Sequence, residues 1–288
     1  MISWDKELIA AIAKRRCVIV IGSGVSKNSI NKEGKRPFSW LEFLDYHCKN
    51  LGENKTIRDL INQRDFLTAC QIIKKTMGDE LFGKAVKDEF VTPGYSHAKI
   101  HEHIYNLDSS IVISPNFDVI YETYANSISQ GTITVKNHFD PDIAEFISGG
   151  EERLILKSHG SASSPKNLIF TRNDYAEART KYKLFYEILK SLALTHKFIF
   201  FGCGIDDPDI RLLFEDIQFA HGKIPFHYMS LPDGEVSHEI MDVVSETMRL
   251  RFLNYSTADG HKELTESLGE LVQLVEAKRE ELAGSRAW

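Results

Sequence analysis

The chain has 288 residues, 42% hydrophobic and 26% charged, with a formal net charge of −6. That composition fits an ordinary soluble globular protein long enough to bury a full core. The mildly acidic balance gives no bulk attraction to nucleic acid or to an anionic membrane, so direct nucleic-acid binding is not expected.

In chain order, residues from Trp4 to Lys14 place Leu8, Ile9 and Ile12 at helical spacing among charged residues. The run "CVIVI" that follows, Cys17 to Ile21, is short, rich in β-branched residues and ended by glycine, which predicts a buried strand. Comparable runs recur as "SIVIS" around Ile111, "RLILKS" around Ile155 and "KFIFFG" around Ile199. Two more are "PFHYMSL" around Tyr228 and "RLRFLNY" around Phe252. Buried strands separated by helical stretches predict βαβ units, hence an α/β, Rossmann-like fold. Its sheet should be mostly parallel with helices on both faces.

Residues 39–106 show helical patterns and no convincing strand, and are expected to form a small all-helical insert lobe. Its first helix opens with a capping box, Ser39 as N-cap and Glu42 three residues on. Phe38 and Phe43 occupy the positions of a hydrophobic staple. Residues 261–282 form an amphipathic C-terminal helix, with Leu264, Leu268, Leu271 and Val275 in one stripe expected to pack on the sheet. The whole span, 1–288, reads as one domain.

Three strand ends carry polar residues. After "CVIVI" comes "GSGVS", where Gly22 allows a tight turn and Gly24 a backbone open to an anion. It is neither the dinucleotide fingerprint nor a Walker loop, and taken alone it also fits a plain strand-to-helix turn. "IVISPNFD" ends in Asn116 and Asp118, and "RLILKSHG" in His159 and Gly160. Individually these fit turn, cap or loop residues. Jointly, loops after parallel strands share one sheet edge, where ligands bind. "KFIFFGCGIDDPD" adds Gly202, Cys203 and Gly204 to that edge, with Asp207 as N-cap, Pro208 at the first helical position and Asp209 in the first turn.

The cysteines are Cys17, Cys48, Cys70 and Cys203, without a C-x-x-C pair, so a zinc ribbon is not indicated and no metal is expected. Three lie in apolar patterns, as in reduced thiols of a cytoplasmic protein. "KRRCVIVIG" has too short an apolar run for a secretory signal, and no stretch approaches a membrane span.

The ordered motifs resemble the sirtuin superfamily, and within it the bacterial sirtuin-like NAD hydrolase domains of anti-phage defence systems of the Thoeris and HerA-associated types. "GSGVS" is similar to the family's Gly-Ala-Gly-x-Ser, "SPNFD" to Thr-x-Asn-x-Asp, and "KSHGS" to its His-Gly motif. "IFTRNDY" and "FFGCGIDDPDI" resemble elements of the defence branch. The chain departs from protein-deacylating sirtuins. "KNSINKEGKRPFSW" stands where they carry Gly-Ile-Pro-Asp-Phe-Arg, their four-cysteine zinc module has no counterpart, and Pro115 precedes the asparagine.

The resemblance implies NAD as substrate. The turn of Gly22, Ser23, Gly24, Val25 and Ser26 would hold the pyrophosphate, with Gly202 and Cys203 near the nucleotide's other end. Asn116 and Asp118 would lie by the nicotinamide ribose, and His159 would be the catalytic histidine. The implied reaction is hydrolysis to nicotinamide and ADP-ribose by a gated effector of abortive infection; cyclisation and base exchange share its chemistry at C1′. Gating would come from a homo-oligomer or from a partner, which in one arrangement of the defence branch is a hexameric HerA-type ATPase. A non-catalytic module that senses NAD or ADP-ribose, and an NAD-dependent deacylase, are the alternatives.

Overall fold

The structure, a computed structural model, describes residues 1–149, 152–204, 208–222 and 224–285. The chain opens with α1 (Lys6–Ala13), β1 (Cys17–Ile21) and the single turn α2 (Ser23–Ser26). Five helices follow: α3 (Trp40–Asn50), α4 (Lys55–Asn62), α5 (Phe66–Met77), α6 (Asp79–Phe90) and α7 (Lys99–Asn106). Alternation then begins with β2 (Ile111–Ser114), α8 (Ile120–Ile128), β3 (Thr134–Asn137), α9 (Ile143–Gly149) and β4 (Leu154–Lys157). Next come α10 (Arg172–Lys181), α11 (Lys183–Thr195), β5 (Lys197–Phe201) and α12 (Pro208–His221). The last elements are β6 (His227–Pro232), α13 (His238–Met248), β7 (Leu250–Tyr255) and α14 (Ala258–Ser285). Asp207, the expected cap of α12, lies outside the described residues.

The strands form one seven-stranded sheet in the order β3-β4-β2-β1-β5-β6-β7. Every pairing is parallel. Parallel strands need both faces covered, which is why β1 is apolar throughout rather than alternating. Cys17, Ile19 and Ile21 face one core with Tyr228, Leu268 and Leu271. Val18 and Val20 face the other with Phe198, Phe200 and Phe214. β3 is the strand that the sequence patterns do not announce. It is an edge strand of four half-buried residues, "TVKN", so it has no apolar run to show.

The capping box at Ser39 forms: Glu42 N–H donates to Ser39 Oγ at 3.3 Å, and Ser39 N–H donates to Glu42 Oε2 at 2.6 Å. Helices α3 to α6 close on a third core that includes Phe43, Ile73, Phe82 and Phe90. Ala162, Leu168 and Phe170, from the segment after β4, complete it. By contrast, α7 gives Ile100 and Ile104 to the sheet's core and packs beside α14. The first residues of α14, Asp259, Gly260 and His261, are left-handed, so regular helix starts after them. Leu264, Leu268, Leu271 and Val275 are its buried stripe. Among the described residues, no helix is long and apolar enough to cross a membrane.

β1 and β5 lie side by side at the centre, and their onward connections run to opposite halves of the sheet. That is a topological switch point, where a crevice opens beyond the strand ends. Here the two chain turns touch backbone to backbone. Gly22 N–H donates to Phe201 O at 2.8 Å and Gly24 N–H to Gly202 O at 2.9 Å. A Cβ on Gly22 would lie 2.3 Å from Gly202 O, and one on Gly24 would lie 2.8 Å from Gly202 Cα. A Cβ on Gly202, at φ +61°, would lie 2.5 Å from Val25 N. The glycines of the two turns are therefore required by each other. This alters the expectation for Gly24, whose N–H is committed inside the fold rather than open to an anion. Gly202 likewise has the first turn as its close backbone neighbour.

Two predictions follow from this packing. Gly202→Ala combines left-handed strain with a main-chain clash and should destabilise the fold by about 3 kcal/mol, read as a lowered urea midpoint. The second concerns two buried histidines. His101 Nδ1 accepts the Ala98 N–H and His227 Nδ1 accepts the Phe198 N–H, each at 3.1 Å. Burial pushes their pKa values down to about 4 and about 3, so both are neutral in the fold. The unfolded chain, with ordinary histidines, binds more protons below about pH 6.5. Stability is thus fully present above that pH and falls toward pH 4, by up to about 1.4 kcal/mol per pH unit for each histidine. Urea melts at pH 7, 6 and 5 should show that fall, and His227→Phe should make it shallower.

Candidate active site

A cavity of about 270 Å³ opens at the C-terminal edge of β1, β2, β4 and β5. Its polar wall comes from their four turns: Gly22, Ser23 and Ser26 after β1, Asn116 and Asp118 after β2, His159 after β4, and Gly202 and Cys203 after β5. Eight of the ten residues expected at the site therefore meet in one place. Gly24 and Val25 are not in the wall, and Val25 is fully buried in the sheet's core. Within the first turn the Gly22, Gly24 and Val25 N–H groups are all committed to carbonyls. Among the described residues the Ser23 N–H has no such acceptor.

A hydrogen-bond chain fixes the polar wall. Asn116 Nδ2 donates to Ser26 Oγ at 3.0 Å, and Ser26 Oγ donates to Asp118 Oδ2 at 2.6 Å. Ile120 N–H donates to Asp118 Oδ1 at 3.0 Å, so this carboxylate also caps the start of α8. Asp118 is 5% exposed, and each of its oxygens has a protein donor. Both carboxylate oxygens are thus engaged within the fold, one of them through Ser26 with Asn116. With the Asn116 amide nitrogen on Ser26, its carbonyl oxygen has no protein donor among the described residues.

His159 is buried at 5% exposure, with its ring edge-on to Tyr175 at 5.2 Å between centroids. Its own carbonyl accepts the Ile169 N–H at 3.1 Å, tying down the segment that returns toward α10. The next residue must be glycine. Gly160 has φ +81°, and a Cβ there would stand 2.8 Å from Asn167 O. The His-Gly pairing in the sequence is thus the signature of a turn that aims the imidazole along the sheet edge.

Below the polar wall lies a buried ion pair. Lys157, the last residue of β4, donates through Nζ to Asp118 O at 2.6 Å and pairs with Glu122 Oε1 at 2.8 Å. Burial raises the pKa of Glu122, and the Lys157 ammonium opposes that rise. Nearer the helices, Glu89 accepts the Phe38 N–H at 2.9 Å and the Tyr95 hydroxyl at 3.2 Å, and burial raises its pKa too.

The opposite wall is aromatic: Phe38, Trp40, Phe66, Phe90, Phe117, Phe170 and Tyr175. Phe170 is its hub, with ring centroids 4.4 Å from Phe117, 5.9 Å from Trp40 and 5.3 Å from Phe43. The sequence motifs do not single these residues out. Phe117 stands inside "SPNFD", and Phe170 and Tyr175 inside "IFTRNDY", so a signal for those was present. Trp40, Phe66 and Phe90 sit at helical spacing and read as core. Among the described residues, no lysine or arginine lines the cavity, and no cluster of three or more histidine, cysteine, aspartate or glutamate side chains is placed to hold a metal ion.

Comparison with known proteins bears on the same span. The chain is 25% identical over 226 residues to "Defense-associated sirtuin 2" of Bacillus subtilis, covering 77% of this chain and 21% of that protein. It is 24% identical over 223 residues to "NAD(+) hydrolase ThsA" of Enterococcus faecium, covering 75% of this chain and 42% of that one. The match thus spans about a fifth of the first relative's length and about two fifths of the second's. The family profile described as "SIR2-like domain" matches residues 110–253, half of the 288. That match runs from the start of β2 into β7 and contains Asn116, His159 and Gly202, and on it the chain belongs to the SIR2-like family.

Proposed function

We propose that the chain cleaves the N-glycosidic bond between nicotinamide and ribose in NAD, releasing nicotinamide and ADP-ribose. The observation that carries this reading is the placement of Asn116, held by Ser26 and Asp118, in one cavity wall with His159. The printed names of the two relatives support an NAD-related role in defence, and an anti-phage effector is the corresponding biological proposal.

The chemistry asks little of the protein beyond orientation. The C1′–N bond breaks with its electron pair going to nicotinamide, whose ring charge is thereby quenched. Positive charge moves to C1′ in an oxocarbenium-like transition state, and water adds there. Asn116, through its carbonyl oxygen, would hold a ribose hydroxyl or the attacking water. His159 would take the proton lost by that water on an imidazole nitrogen. The aromatic wall offers flat apolar faces for the rings of a dinucleotide. With no lysine or arginine in the described lining, a pyrophosphate would depend on donors such as the Ser23 N–H and hydroxyl.

Turnover is tested by resolving the products of NAD incubation chromatographically. Wild type should release nicotinamide and ADP-ribose. Asn116→Ala and His159→Ala should each lose at least about 100-fold in kcat, with unchanged circular dichroism. Full turnover by His159→Ala would remove that residue from the mechanism.

Occupancy is tested separately from turnover, through a thiol. Cys17, Cys48 and Cys70 are buried, whereas Cys203 is half-exposed and lines the cavity. A maleimide should label Cys203 first in the native protein, and saturating NAD should slow that labelling. Unaltered labelling would count against NAD seated beside Gly202. Protection without product would make the chain an NAD-binding module instead.

A further inference from the structure

Asn116 and His159 both lie beyond the sheet, where ladder hydrogen bonds no longer position the backbone. The last paired residues are Ser114 in β2 and Lys157 in β4, directly opposite each other in register. Each of the two functional residues stands two positions past that pair. Something other than strand pairing must set how the two turns sit against each other.

The Lys157 side chain is one such tie. It is 1% exposed, and its ammonium reaches from the strand that leads to His159 across to the turn that carries Asn116. There it donates to the carbonyl of Asp118 at 2.6 Å. Glu122 in the first turn of α8 neutralises it at 2.8 Å, while Glu122 Oε2 is buried with no partner among the described residues. As a stabilising device this is a poor arrangement. Desolvating a lysine and a carboxylate costs several kcal/mol, and apolar side chains of similar volume commonly do as well or better. A second tie, Ala162 N–H to Phe117 O at 2.8 Å, holds the same turn from the far side of His159. The pair also carries no net charge, so it places no uncompensated cation beneath the reacting centre.

We propose that Lys157, neutralised by Glu122, is a positioning residue that fixes the Asn116–Asp118 turn against the His159 strand. Its consequence for turnover rests on the NAD-cleaving reading above; its consequence for the backbone does not. The test replaces both charges at once, Lys157→Met with Glu122→Leu, so that no lone buried charge unfolds the protein. Its thermal midpoint should stay within about 4 °C of wild type. Amide hydrogen exchange across residues 116–120 should accelerate at least about tenfold. For NAD cleavage, kcat should fall about 10- to 100-fold with KM changed by less than about threefold, as expected for lost alignment rather than lost binding. Unchanged exchange and unchanged kcat in the folded double variant would overturn the proposal. If that variant does not fold, wild type decides. The Ile120 amide, bonded to Asp118 Oδ1, should be protected far beyond the amide of the exposed Gln130, and equal exchange would show that nothing holds the loop. Should wild type release no nicotinamide, the NAD-cleaving reading fails, and the exchange rates still decide the role of Lys157.

Discussion

The bond from the Gly24 N–H to the Gly202 carbonyl, 2.9 Å long, joins the ends of two central strands whose chains then leave in opposite directions. Two peptide backbones can approach that closely only where no Cβ intervenes, and three glycines supply the space. The contact sets the floor of the crevice at the switch point. It holds the Ser23–Ser26 turn against the sheet, and Ser26 is the group through which Asn116 and Asp118 are connected. Without it the first turn would have no fixed height above the sheet edge.

From that floor upward the polar side is over-determined. Asp118 uses one oxygen on Ser26 and the other on the Ile120 N–H, while its carbonyl takes the Lys157 ammonium. A network with nearly every member satisfied is stiff, because moving one group leaves others buried and unpaired. This is the reason to separate positioning from chemistry here. Asp118 and Lys157 hold, whereas Asn116 and His159 present polar atoms along the cavity wall. Such stiffness suits the proposed reaction, whose main demand is alignment of ribose and nucleophile.

The aromatic side is built differently. Its rings come from three stretches of chain: residues 38–90, with helices α3, α5 and α6; Phe117 in the turn after β2; and Phe170 just before α10 with Tyr175 inside it. Phe170 is the joint between them, seated in the helical core with its ring tilted against that of Phe117, the neighbour of Asn116. The helices that follow the first strand therefore do more than cover the site. Their core and the Asn116 turn share one aromatic cluster, so a change in how α3 to α6 pack would be felt beside Asn116.

By itself the sequence determined the sheet strands that lie between two layers of helices, because burial on both faces demands continuous apolar runs such as "CVIVI" and "KFIFF". It also determined the polar residues at their ends, since Asn116, His159 and the glycine turns stand out against those runs. It could not show β3, whose "TVKN" lies half-exposed at the sheet edge, nor the assembly of the aromatic wall, whose Trp40, Phe66 and Phe90 follow ordinary helical core spacing. Nor could it tell a glycine needed by a ligand from one needed by another backbone. Tertiary structure decided these matters. The Gly22–Gly202 contact, the bridge from Lys157 to the Asp118 carbonyl and the seat of Phe170 all join residues far apart in the chain. Local pattern records only what a residue's own helix or strand requires of it, and these three contacts are requirements set by a different element.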